Sequence, residues 1–124
     1  RIINKLIKNV SYINLTKGNQ KRDFVFIKDV VDAIKIIIKD SLRYKNGYTN
    51  YDIGKGVSIS IKKFILLARK LTRNKSTKLN FGILKLRKRE AMDIKVNISK
   101  LKKLGWKPKC NLHSALIKTI KYYI

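Results

Sequence analysis

Gly18-Asn19-Gln20-Lys21-Arg22-Asp23-Phe24-Val25-Phe26-Ile27-Lys28-Asp29-Val30-Val31-Asp32-Ala33 carries three structural signals in succession. Gly18 marks a turn over Thr16 to Lys21, Phe24 to Ile27 reads as a short buried strand, and a helix begins at Asp29. Asp29 suits the N-cap or the first turn, where a carboxylate accepts from unpaired backbone N–H groups and meets the positive end of the helix dipole. Arg22 lies between the turn and the strand, so the backbone restricts where its guanidinium can reach. Such a planar fork donates paired hydrogen bonds to phosphate oxygens, whereas an ion pair with Asp23 or Asp52 is the ordinary surface alternative.

Working outward, the helix runs from Asp29 to about Leu42, with Val30, Val31, Ala33, Ile34, Ile36, Ile37 and Ile38 filling far more than one stripe. A surface helix of a small domain shows one apolar stripe, so this one is expected to need a covering layer from something larger. Upstream, Ile2, Ile3, Leu6 and Ile7 follow helical spacing, and Tyr12 to Leu15 reads as a strand. Residue 1 is arginine and no cap precedes it, so the chain is expected to begin inside an element. Downstream, Lys45-Asn46-Gly47 is a turn, and Tyr48 to Ile53 reads as a strand closing at Gly54-Lys55-Gly56. Ser58 or Ser60 can cap a helix over about 61–73, whose face of Ile61, Phe64, Ile65, Leu67, Ala68 and Leu71 opposes Lys62, Lys63, Arg69 and Lys70. Leu79 to Phe81 reads as a strand and Leu84 to Lys95 as an irregular basic loop. Asn97 can cap a short helix that Gly105 ends, and a final helix spans about 112–123 with Leu112, Leu116, Ile117 and Ile120 inward. No repeat, low-complexity segment or linker interrupts residues 1–124, which read as one mixed α/β unit.

The formal charge of +24, from 31 Lys and Arg against 7 Asp and Glu, would ordinarily announce nucleic acid. The excess is mostly lysine, accompanies abundant Ile and Asn, and is spread from Lys5 to Lys121, a pattern that AT-rich coding produces without selection for binding. Non-specific adhesion to polyanions follows either way. No apolar run reaches the length of a membrane span and no signal segment opens the chain, so it reads as cytoplasmic with no membrane partner. The single Cys110 cannot form an internal disulfide, and His113 has no second ligand at metal spacing.

Arg22-Asp23-Phe24 through Asp29 resembles the "RDF(V/I)(Y/H)V.D" segment of NAD-dependent nucleotide-sugar epimerases and dehydratases, the extended short-chain dehydrogenase/reductase family. Tyr51-Asp52-Ile53-Gly54-Lys55-Gly56 through Ile61 is similar to that family's "YNIG.G...S", and Leu84-Lys85-Leu86-Arg87-Lys88-Arg89-Glu90 to its "LP.R..E". Asn97 through Pro108 resembles its "D.SK...LGW.P". The four matches occur in the family's order along the whole chain. The resemblance implies that Arg22 reaches the sugar nucleotide's diphosphate and that Arg87 is the second clamp. Gln20 and Glu90 complete the implied substrate-binding set. Lys85 stands where proline is usual, Lys28 replaces an acidic residue, and Asn97 replaces aspartate.

The family's cofactor lies on an amino-terminal Rossmann domain with a glycine-rich turn, and a Tyr-x-x-x-Lys pair moves protons. Neither signature occurs here: Tyr44-Lys45 has the wrong spacing, and Tyr51 and Lys55 are spaced correctly but do not lie on a helix. The resemblance therefore implies the carboxy-terminal, nucleotide-sugar-binding portion of an NAD(P)-dependent epimerase, dehydratase or reductase of polysaccharide biosynthesis, its Rossmann half missing. That half would come from the same or a separate chain, the intact parent allowing a homodimer. No catalytic residue is expected and no NAD(P) is expected to bind this chain alone. The rivals are a small basic nucleic-acid-binding protein, which would gather lysines and stacking aromatics on one face, and a truncated remnant prone to aggregate through its uncovered helix.

Overall fold

A computed structural model describes residues 1–43 and 47–124, so the turn expected at Lys45-Asn46-Gly47 and the Tyr44-Lys45 pair lie largely outside the described residues. The elements run α1 (Ile2–Ile7), β1 (Tyr12–Leu15), β2 (Lys21–Asp23), α2 (Ile27–Ser41), β3 (Ser58–Ser60), α3 (Ile61–Leu71), β4 (Lys78–Phe81), α4 (Ser99–Lys103) and α5 (Leu112–Tyr123). This is the mixed α/β organisation expected. β1 and β4 pair in parallel, Tyr12 opposite Lys78 through Leu15 opposite Phe81. β2 and β3 pair antiparallel, with Arg22 opposite Ile59.

Two cores result. Leu6, Ile13, Leu15, Ile65, Ala68 and Leu116 bury the inner faces of α1, α3 and α5 against β1. Ala33, Ile98, Leu101 and Trp106 form the second under α2, with Ile36, Ile37, Tyr51, Ile53 and Val96 packed against it. Apolar residues at three- and four-residue spacing on α3 explain its place in the first core, and Ser60 caps it by accepting from the Lys63 N–H at 3.2 Å.

The structure corrects several local expectations. The ladder on β2 forms at Lys21–Asp23 rather than Phe24–Ile27, because Phe24 leaves the sheet to stack on Phe64, ring centroids 4.2 Å apart. Residues 48–53 are not a strand. Alternation supplies a side-chain pattern but not the neighbouring ladder a strand requires, and here Tyr51 and Ile53 pack on α2 while the Tyr51 hydroxyl donates to Asp40 Oδ2 at 2.8 Å. The helix expected to reach residue 73 stops at Leu71, where the Thr72 hydroxyl bonds the Ala68 and Arg69 carbonyls at 3.0 Å. α4 begins one residue past the expected Asn97 cap, with Ile98 at its N-cap, and Asn97 instead accepts from the Ser99 N–H at 3.1 Å. Asn111, not singled out in the sequence, caps α5 by accepting from the Ser114 N–H at 2.8 Å.

Asp29 does not cap its own helix either; Phe26 occupies the N-cap. The Asp29 carboxylate is buried in the first turn of α2 and accepts from the Lys109 N–H at 3.1 Å and the Cys110 N–H at 3.0 Å, while its carbonyl accepts from the Trp106 indole at 3.2 Å. One residue thus ties α2 to the approach to α5. The outer side of α2 leaves Ile27, Val31, Ile34 and Ile38 exposed, with Leu42 continuing the row beyond the helix. Their spacing of four, three and four aligns them as a second apolar stripe. No helix among the described residues is long and apolar enough to cross a membrane.

Asp29→Ala removes a buried acceptor and leaves two part-buried backbone N–H groups without their partner, so it should lower unfolding free energy by about 2–3 kcal/mol in urea titrations, whereas Asp52→Ala, at an exposed position, should change it by less than about 0.5 kcal/mol. Replacing Ile34 and Ile38 by lysine should leave the fold intact and reduce self-association measured by light scattering.

Candidate functional site

The site grows from β2. Gly18 adopts φ +74 and comes so close to α3 that an added Cβ would meet Lys62 backbone and side-chain atoms at 3.0–3.2 Å; its carbonyl accepts from the Lys62 N–H at 2.9 Å. The turn therefore requires glycine twice over, by dihedral and by space. Gln20, two residues on, is buried; its side-chain amide donates to the Thr16 hydroxyl at 3.0 Å and its carbonyl accepts from the Ile61 N–H at 2.9 Å. Gln20 braces the turn from within.

Arg22 follows at the centre of β2. Its Nη1 donates to the Lys21 carbonyl at 2.7 Å and the Ala91 carbonyl at 2.8 Å, and its Nη2 pairs with Glu90 Oε1. The two side chains are 24% and 22% exposed, so water screens the pair less than it would a surface one. The alternative ion pair with Asp23 or Asp52 is not the one formed. Of the five N–H donors of a guanidinium, Nε–H and the second Nη2 hydrogen remain after these bonds.

Glu90 also closes a turn, its N–H donating to the Arg87 carbonyl at 3.1 Å. Arg22 and Arg87, 65 positions apart in the sequence, are thereby brought to the same turn, with the Arg87 side chain exposed. The rest of this basic loop is fixed at both ends. Leu84 N–H donates to the Leu15 carbonyl at 3.0 Å on one side, and on the other Lys21 N–H donates to the Met92 carbonyl at 2.7 Å.

Asp23 faces away from the arginine and accepts three backbone N–H groups: Lys55 at 2.7 Å, Gly56 at 2.8 Å and Val96 at 3.2 Å. These bonds hold the Gly54-Lys55-Gly56 bend against the 94–97 segment. An added Cβ at Gly54 would lie 2.5 Å from Val96 Cβ, and Gly56 adopts φ +77. The bracing role of Asp23 was missed in the sequence, where the available signal is scarcity: in a chain with seven acidic residues, each carboxylate is conspicuous. Tyr51 and Lys55 are engaged with different partners: the Tyr51 hydroxyl donates to Asp40 and Lys55 Nζ to the Cys110 carbonyl at 3.0 Å. Among the described residues no three His, Cys, Asp or Glu side chains cluster as metal ligands.

A family model described as GDP-mannose 4,6 dehydratase matches residues 1–119. The chain belongs to the NAD-dependent epimerase/dehydratase family. CDP-abequose synthase of Salmonella muenchen is 34% identical over 116 residues, which cover 94% of this chain and 39% of that protein. Among solved structures, UDP-glucose 4-epimerase of Thermotoga maritima with UDP-glucose superposes at a TM-score of 0.77 with 23% identity, over 98% of this chain and 37% of that one. UDP-glucose 4-epimerase of Thermus thermophilus in complex with NAD gives 0.75 with 15% identity, over 98% and 38%. The chain thus spans less than half the length of these epimerase/dehydratase relatives, and its fold is that of their carboxy-terminal part.

A nicotinamide dinucleotide is held by a glycine-rich turn joining a strand to a helix N-terminus. Among the described residues Gly54 and Gly56 lead into β3, and Gly18 leads into β2. The described residues therefore do not fit that cofactor.

Gly54→Ala should cost about 1–3 kcal/mol of stability in denaturant titrations, because the methyl group must displace Val96 in a packed contact, and Val96→Ala should recover part of that loss in the double variant.

Proposed function

We propose that this chain binds the sugar nucleotide for an NAD(P)-dependent epimerase, dehydratase or reductase acting on nucleotide-linked sugars. Arg22 and Arg87 hold the diphosphate, and Glu90 orients Arg22. The observation that carries the reading is the contact of Arg22 with Glu90 on the turn that begins at Arg87. It gives one rigid guanidinium, with donors in reserve, beside one exposed guanidinium. That combination suits a diphosphate, whose oxygens are spread over two phosphorus centres and accept charge-assisted bonds from more than one direction. Gln20, whose side-chain amide donates to Thr16, shapes the turn that leads to Arg22.

The names of the relatives support the substrate class: one is a CDP-abequose synthase, and one structure contains UDP-glucose. Hydride chemistry would come from NAD(P) on a dinucleotide-binding domain, in the same or a separate chain. Here the residues bind and orient the substrate. Such a domain is also the occupant we assign to the exposed stripe of α2, which would lose its contact with water on docking.

Calorimetric titration of the chain with UDP-, dTDP-, GDP- and CDP-linked sugars, against single-stranded RNA, tests the reading. At least one sugar nucleotide should bind, and Arg22→Ala and Arg87→Ala should each weaken it by about tenfold or more, the size of one charged hydrogen bond. Steeply salt-dependent RNA binding with no response to any sugar nucleotide would instead assign the +24 charge to a polyanion partner.

A further inference from the structure

Arg87 lies midway between two anchors, three residues after Leu84 and three before Glu90. Around it, Lys85, Arg87, Lys88 and Arg89 place four cations in five residues, and their mutual repulsion favours an open, detached loop. Something must hold the exit of this loop against β2. One edge of β2 is filled by β3. Along its other edge the 92–94 segment runs parallel: Lys21 N–H donates to the Met92 carbonyl at 2.7 Å, and Ile94 N–H donates to the Lys21 carbonyl at 3.2 Å. Asp93 sits between those two bonds. Its Oδ1 accepts from the Ser58 hydroxyl at 2.6 Å, and its Oδ2 lies 3.7 Å from Lys21 Nζ. The carboxylate therefore spans both strands of the small sheet that carries Arg22.

We propose that Asp93 is a positioning residue for the phosphate clamp: by bonding Ser58 and Lys21 it latches the basic loop to the β2–β3 sheet and so fixes where Arg87 stands relative to Arg22. The inference rests on the reading of those arginines as diphosphate ligands. Asp93 touches no ligand itself. The work falls mainly to the bond with Ser58, because a pair as exposed as Lys21 and Asp93, 53% on each side, is worth little. Glu90 cannot be tested for this role cleanly, since removing it also releases Arg22.

Two measurements on the chain test the latch. In titrations with the sugar nucleotide that binds best, Asp93→Ala should raise Kd about fivefold, the scale of one ordinary hydrogen bond, and Asp93→Asn, which keeps an acceptor for Ser58, should recover most of that loss. Ser58→Ala should resemble Asp93→Ala, with the double variant no worse than either. In limited trypsin digestion mapped by mass spectrometry, the earliest cuts should move to Lys85–Arg89 in Asp93→Ala and return to the parental pattern in Asp93→Asn. If the parent binds and Arg87→Ala weakens it, but Asp93→Ala binds as the parent does, the positioning role is overturned while the clamp stands. If Arg87→Ala has no effect on binding, the clamp itself fails and the positioning role with it. An unchanged digestion pattern in Asp93→Ala overturns the latch whatever the titrations show.

Discussion

Two carboxylates, Asp23 and Asp29, receive backbone N–H groups from segments remote in sequence, and the arrangement of the chain depends on them. Asp23 gathers Lys55, Gly56 and Val96; Asp29 gathers Lys109 and Cys110 and offers its carbonyl to Trp106. A charged acceptor makes stronger bonds than a neutral one, and removing it strands several donors at once. Both lie in one short stretch, so the end of β2 and the first turn of α2 organise segments up to 81 positions away.

The consequence for the site is geometric. With Asp23 turned toward the glycine bend, its neighbour Arg22 projects to the opposite side of β2, as alternation along a strand requires, and meets the loop containing Arg87 and Glu90. The side facing the bend holds backbone N–H groups together, and the side facing the loop carries the Arg22–Glu90 pair. In a chain of +24 net charge the acidic residues are few, and Asp23, Asp29, Asp40, Glu90 and Asp93 all hold side-chain bonds that shape the fold. The remaining cationic excess lies mostly at the surface and is spread along the chain.

Much of this was legible in the sequence where the cause was local. Helical spacing located α2, α3 and α5, Gly105 ends α4 with φ +84, and β1 falls at Tyr12–Leu15 as the residues imply. The order of the Arg22, Gly54, Arg87 and Trp106 segments indicated the family that the comparisons establish. Features set by distant partners were not legible. Phe24 reads as a strand residue until Phe64 is placed beside it, and Tyr51 reads as one until Asp40 and α2 claim it. The partner of Arg22 belongs to the same class: the candidates were the adjacent Asp23 and the more distant Asp52, whereas the one chosen, Glu90, is 68 residues away. Of the candidate residues, Gln20 is buried and bonded to Thr16, a placement set by the turn rather than by its own residue type.

The family assignment and the clamp are separate claims, and the second is the one that gives this chain a role. Its most direct test is a crystal structure of the chain with the nucleoside diphosphate sugar it binds best. The account predicts Arg22 and Arg87 on oxygens of the same diphosphate, each within about 3 Å, with Glu90 still bonded to Arg22. A diphosphate bound elsewhere, or the two guanidinium groups directed to opposite faces of the molecule, would contradict it.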